Sequence, residues 1–194
     1  MAIAATSPSS EGIIAALNHR YHRAALNVFM VVVLGHWAEH VAQAYQIWVL
    51  GWPVPKARGV LGLWFPWLVK SEWLHYGYAL AMLIGLAVLR PGFVGRARTW
   101  WTVALTIQFW HHFEHLLLLV QAQTQHFLFG RAVPTSVLQL VFPRVELHLF
   151  YNSIVFIPMM VAVYRHLRPS DRELRAMLCA CVPAADERPA FAPV

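Results

Sequence analysis

An all-α integral membrane protein, a bundle of four transmembrane helices with both termini cytoplasmic, is what these 194 residues predict. Three observations carry that expectation. Hydrophobic residues make up 59% of the chain against 12% charged, with nine tryptophans and a mean hydropathy of +0.51, outside the balance of soluble domains. Four apolar runs, at about 24–50, 67–89, 99–121 and 143–166, are each long enough to cross a bilayer. Basic residues then sort by side. Arg20, Arg23, Arg90, Arg96, Arg98, Arg165, Arg168, Arg172 and Arg175 fall at one end of the runs, against Lys56, Arg58, Lys70, Arg131 and Arg144 at the other. That excess marks the cytoplasmic face.

The domain organisation follows. Residues 1–23 form an N-terminal cytoplasmic segment, 24–167 the transmembrane domain and 168–194 a polar tail that is poorly ordered. Met1 to Ser10 contain no basic residue, unlike a cleavable signal peptide. Ser10 is expected to cap an amphipathic helix over 11–23, lying on the membrane with Ile13, Ile14 and Leu17 as its apolar stripe and Asn18, His19 and Arg20 opposite.

The first span ends at Gly51-Trp-Pro-Val-Pro55, which cannot continue a helix. The segment 59–68, with Pro66, reads equally as an interfacial or re-entrant piece or as the early start of the second span. That span stops at Arg90-Pro91-Gly92. Gly130 and Pro134 break the loop 123–142, and Pro143 suits the first turn of the fourth span.

The net charge of +6 resides mainly in arginines at span ends, which suits orientation and lipid headgroups and not nucleic acid. Cys179 and Cys181 form a Cys-x-Cys in the tail. The spacing could bind a soft metal, but a pair of reduced thiols without a role is the reading preferred.

Inside the apolar runs stands an unusual set of polar groups. Gln108-Phe-Trp-His-His-Phe-Glu-His115 puts three histidines and a glutamate into two turns of the third span. Such groups are costly in hydrocarbon and by default mark a functional site. His111, His112 and His115 share an arc of about 100° with Gln108, while Glu114 lies at its edge. In the first span His36, Glu39, His40 and Gln43 share a similar arc. The second span carries Glu72, His75 and Tyr76, and the fourth Glu146, His148, Tyr151 and Asn152.

In an in-out-in-out bundle, a site at one depth must fall late in spans one and three and early in spans two and four. These groups do so, and converge on the outer half of the bilayer. Imidazole and carboxylate donors suit iron, copper or zinc. The candidate ligands are His36, Glu39, His40, Glu72, His75, His111, His112, Glu114, His115, Glu146 and His148, enough for two transition-metal ions, with iron favoured.

Packing readings stand beside these. His148 could be a hydrogen-bonded packing residue. Glu72 could pair with Lys70, and Glu146, about 160° around the helix from His148, could pair with Arg144.

Glu72-Trp-Leu-His75 resembles one Glu-x-x-His element of the ferritin-like di-iron carboxylate proteins. His36-Trp-Ala-Glu-His40 and His111-His-Phe-Glu-His115 resemble the histidine boxes of membrane fatty acid desaturases and alkane hydroxylases. These resemblances cover about a tenth of the chain and imply metal-dependent oxidation of a lipid-soluble substrate.

The functional expectation is a multi-pass cell-membrane oxidoreductase with a di-metal centre, acting on an apolar molecule or quinol entering from the lipid bilayer. Tyr76 and Tyr151 are its candidate redox or proton relays. A b-type haem electron-transfer protein and a metal-carrying or accessory subunit of a larger membrane complex are the alternatives, and zinc with a hydrolytic role also remains open. Homo-oligomerisation is compatible with all of them.

Overall fold

The computed structural model describes residues 12–179 and 181. Among them every regular element is helical. In chain order these are α1 (Ile13–Asn18), α2 (His22–Trp48), α3 (Leu61–Trp64), α4 (Pro66–Val69), α5 (Glu72–Leu89), α6 (Gly95–Thr124), α7 (Arg144–Leu167) and α8 (Asp171–Ala176), with 3-10 turns at Arg90–Gly92, Leu128–Gly130 and Leu138–Leu140. Three helices are long and apolar enough to cross a membrane: α2, α5 extended to Gly92, and α7. The longest, α6, is not among them, since Gln108, His111, His112, Glu114 and His115 lower the hydropathy of its interior.

Helix α6 is the central element, packed between α5 and α7, while α2 lies more lightly against α5 and α7. The packing is tightest away from the histidines. Small residues Ala97, Ala104 and Ala162 are buried between the helices, and Leu86, Phe93, Trp101 and Met159 fill the space around them with no exposure. Between helices long and apolar enough for a bilayer, such side chains hold the helices together by close van der Waals packing. Phe93 stacks on Trp101 at 4.1 Å, and Trp101 Nε1 donates to the Leu86 carbonyl at 2.7 Å, so the one polar atom of that side chain is satisfied. The outer face of α2, including Val28, Val31 and Leu34, is exposed.

The ends of the chain depart from the sequence reading. The expected cap Ser10 and residue Glu11 lie outside the described residues. Helix α1 stops at Asn18, and α2 already begins at His22, so one helix over 11–23 is not what forms. The expected faces are not kept: Asn18, from the polar one, is buried while Arg20 is exposed, and Ile13, from the apolar one, is 80% exposed; His22 at the start of α2 is buried too. Asn18 Nδ2 donates to the carbonyls of Ile14 and Val88, both at 2.8 Å, and its Oδ1 accepts the Gly92 N–H at 2.7 Å. An amide that satisfies three backbone groups at a helix junction outweighs the preference of an asparagine for water.

The segment 59–68 forms neither a continuation of α5 nor a single piece. Pro66 cannot donate and restricts Phe65, so two one-turn helices, α3 and α4, meet at that point, and α5 starts only at Glu72. Helix α6 begins four residues before the expected start and ends at Gln125, whose left-handed φ of 57° closes it. Pro143 occupies the N-cap of α7, one position before the first turn. The tail is ordered further than expected. Ser170 and Glu173 form a reciprocal capping box at the start of α8, and the chain then returns Cys181 to a buried position.

Candidate metal centre

The polar stripe of α2 serves two purposes. Glu39, Gln43 and Gln46 hold the connector that folds back beside them. Gln46 Oε1 accepts the N–H groups of Arg58 and Gly59 at 2.9 Å, and its Nε2 donates to the Gly59 carbonyl at 3.0 Å. Gln43 Nε2 donates to the Ala57 carbonyl at 2.9 Å. Both carboxylate oxygens of Glu39 accept the Leu61 N–H, at 3.0 and 2.9 Å. Gly59 permits this approach, because its φ is +70° and a Cβ there would collide with the Glu39 carboxylate.

His36 and His40 remain, one turn apart. Their Nε2 atoms are 3.0 Å from each other, about the separation of two nitrogens sharing one ion at roughly 2.0–2.1 Å each.

Around them the other long helices bring further imidazoles. The His40 ring is 5.2 Å from that of His148 on α7, and the His148 ring is 5.0 Å from His115, 5.6 Å from His111 and 6.0 Å from His75. His75 and His115 lie parallel at 6.1 Å. Six histidines from α2, α5, α6 and α7 therefore surround one region. In the innermost set, His111, His115 and His148 are all buried and offer donor atoms within 4.8 Å of one another, a group that could hold a metal ion. Nδ1 of His111 and of His115 has no hydrogen-bond partner.

The His75 tautomer follows from its contact. Its Nδ1 lies 2.9 Å from the Ser71 carbonyl, which only accepts, so Nδ1 carries the proton and Nε2 presents a lone pair. That is the arrangement by which a backbone carbonyl orients a metal-binding imidazole.

The remaining sequence candidates are distributed differently. Glu72 engages Arg144, with Oε1 2.7 Å from Nη2, so Arg144 serves Glu72 and not Glu146. Glu146 is exposed, on the side of α7 away from buried His148. His112 is half-buried with its ring 5.2 Å from Tyr76, outside the inner triad. Glu114, at the edge of the helical arc, is 3% exposed. It accepts the Leu138 N–H at 3.0 Å and lines a small void of about 10 Å³ with His111, His115, His148 and Tyr151. The loop 123–142 folds over the end of α6, which turns an edge position into an interior one. Gln121 holds that loop, donating to the Thr135 carbonyl at 2.9 Å and accepting the Leu128 N–H at 3.0 Å.

Tyr151 stacks on His111 at 4.3 Å, and its hydroxyl accepts the Trp110 Nε1–H at 2.7 Å. Tyr78 stacks on His36 at 3.5 Å. Gln108 donates to the Ala79 carbonyl at 3.0 Å and closes the region toward the apolar core. A second void of about 10 Å³ touches His36, His111, Trp37 and Asn152.

Two residues of this arrangement were poorly legible in sequence. His148 has no histidine one turn away in α7, unlike the pairs of α2 and α6. The burial of Glu114 depends on a loop that carries no motif. Compared with family models, with curated proteins and with solved structures, the chain has no match.

Proposed function

We propose that this protein is a four-span membrane metalloprotein, with both termini cytoplasmic, whose histidine cluster lies in the outer half of the bilayer and serves as the redox centre of an oxidoreductase. The observation that carries the reading is the convergence of His36, His40, His75, His111, His115 and His148 from four helices. Imidazoles gain little from each other in an apolar interior, and buried ring nitrogens whose lone pairs find no partner cost about 1–3 kcal/mol each. Shared ions remove that cost.

The donor set supports up to two ions, with His111, His115 and His148 at one and His36 and His40 at the other, and His75 between. Glu39 and Glu72 are engaged elsewhere, so the set is richer in imidazole than a carboxylate-bridged di-iron centre. Copper therefore stands level with iron. The ions would supply electron exchange with the substrate. Tyr151, stacked on His111 and hydrogen-bonded by Trp110, is positioned to relay a proton or electron at its hydroxyl, and Glu114 is the nearby buried carboxylate that can take a proton.

An apolar groove of about 410 Å³ between α2 and α7, lined by Leu34, Trp37, Ala38, Ser153, Phe156 and Ile157, suits a substrate arriving from lipid. Trp37 and Phe156 also line the void that reaches His36 and His111, so they stand between the groove and the cluster. Trp37 Nε1 is buried without a hydrogen-bond partner and can donate to a carbonyl or hydroxyl oxygen, which favours a quinol-like molecule over a plain hydrocarbon. The haem alternative gains no support, since the rings approach each other directly and the adjoining voids are too small for a porphyrin.

Elemental analysis and absorption spectroscopy of detergent-purified protein test the reading. One or two equivalents of iron or copper per chain, lost on His111→Ala and His115→Ala, are expected. Absence of a redox-active metal that depends on these residues would overturn it.

A further inference from the structure

A second cluster lies at the other end of the bundle. Helix α2 begins at His22, and α7 ends just after His166. His22 and His40 are eighteen residues apart, as are His148 and His166, so about 27 Å of helix separates the two ends at 1.5 Å per residue. Beyond α7 the chain turns back. The Glu173 carboxylate accepts the Ser170 N–H at 3.0 Å and, from the first turn of α6, the Arg96 N–H at 3.0 Å. This anchor brings the following residues under the helix ends.

There, His22, His166 and Cys181 are all buried and offer donor atoms within 4.8 Å of one another. Cys179 Sγ lies 3.4 Å from His166 Nε2, and both thiols are free. The two rings are 5.1 Å apart, with Phe93 packed against both.

The imidazoles are costly as they stand. His22 is 0% and His166 1% exposed. Neither ring nitrogen of His22 has a hydrogen-bond partner, nor has Nδ1 of His166. The surroundings are nonetheless shaped to keep His22 inside. Asn18 holds the Gly92 backbone, and a Cβ at position 92 would fall on the His22 ring. A histidine retained at such a position has a use that solvent and packing do not supply.

We infer that His22, His166, Cys179 and Cys181 form a structural zinc site that fastens the segment after α8 to the ends of α2 and α7. Two thiolates and two imidazoles are the closed tetrahedral donor set of structural zinc, and the soft sulfur ligands select it over magnesium or calcium. The site also gives α2, which packs lightly along its length, a fixed attachment to α7. It is independent of the histidine cluster at the other end.

The test uses the full-length protein in detergent. Zinc per chain is measured by mass spectrometry for the wild type, for Cys179→Ser/Cys181→Ser and for His148→Ala. The double variant is expected to lose one equivalent of zinc, and His148→Ala to keep it. Cobalt-loaded wild type should show thiolate-to-cobalt charge-transfer absorption in the near ultraviolet, and His148→Ala should show the same band.

Should the double variant fail to fold, maleimide labelling of the wild-type thiols replaces it. Labelling should be slow with zinc bound and at least tenfold faster after chelation. Equal zinc in the wild type and the double variant, absence of the charge-transfer band, or labelling that a chelator does not accelerate would each overturn the proposal.

Discussion

Arg144 Nη2 lies 2.7 Å from Glu72 Oε1 and donates to Oε2 at 2.8 Å, joining the first turn of α7 to the first turn of α5. His75 follows Glu72 by one turn, and His148 follows Arg144 by one turn, so the pair sets the spacing of two histidines that it does not touch. Glu72 is 12% and Arg144 39% exposed, between a surface pair and a buried one. Glu72→Gln is therefore expected to cost about 1–3 kcal/mol, read as a lower Tm, with metal content unchanged. Stoichiometric metal loss in that variant would make Glu72 a ligand.

His148 and Glu146 differ in burial although they are two residues apart. His148→Ala is expected to weaken metal binding by more than about a hundredfold, since loss of a group supporting a ligand already costs 10–100-fold. Glu146→Ala should bind as the wild type does. Competition with a chelator of known affinity distinguishes the two, and equal behaviour of both variants would remove His148 from the ligand set.

Gly92 is a packing requirement of His22. Gly92→Ala would force a Cβ onto the His22 ring and lies 3.0 Å from Asn18 Oδ1. Destabilisation of about 1–3 kcal/mol is expected, as for other overpacked interiors. The zinc proposal adds that cysteine labelling should accelerate in this variant. Wild-type stability and labelling would count against the close fit.

Docking of α8 should depend on pH through Glu173. Hydrogen bonds from the Ser170 backbone and side chain, then from the Arg96 backbone, lower the pKa of its carboxyl below the ordinary value. The folded value lies below the unfolded one, so the contribution is fully present above the unfolded pKa and is lost as pH falls through the folded pKa. Hydrogen exchange at the Arg96 and Ser170 amides, corrected for its intrinsic pH dependence, should lose protection as pH falls below the carboxylate range. In Glu173→Gln the protection should be low at every pH.

Much of the six-histidine cluster was legible because it obeys local periodicity. His36 with His40, and His111 with His115, are one turn apart on single helices, and helical geometry puts each pair on one face whatever surrounds it. The rule of common depth then brings His75 and His148 to their level.

The same juxtaposition occurs at the other end of the bundle. His22 opens the first long helix, His166 closes the last, and the Cys-x-Cys follows on the same side. In the sequence His22 falls within the N-terminal segment 1–23, before the first span. Read in the tail alone, Cys179 and Cys181 were two thiols without a role.

The amino-acid sequence by itself determined the helical class, the apolar lengths of α2, α5 and α7, and the histidine pairs, because composition and a 3.6-residue period act over one or two turns. Tertiary structure decided which polar groups are free for an ion. Glu39 and Gln46 are taken by the backbone of a connector that turns at Gly59, Glu72 by an arginine seventy-two residues away, and Glu114 is enclosed by a loop. A carboxylate or amide in an apolar interior takes the nearest donor, and which donor is nearest depends on contacts distant in sequence. A separate long-range contact, Glu173 accepting the Arg96 N–H, carries Cys181 back to His22 and His166, and no local pattern in the chain records that return.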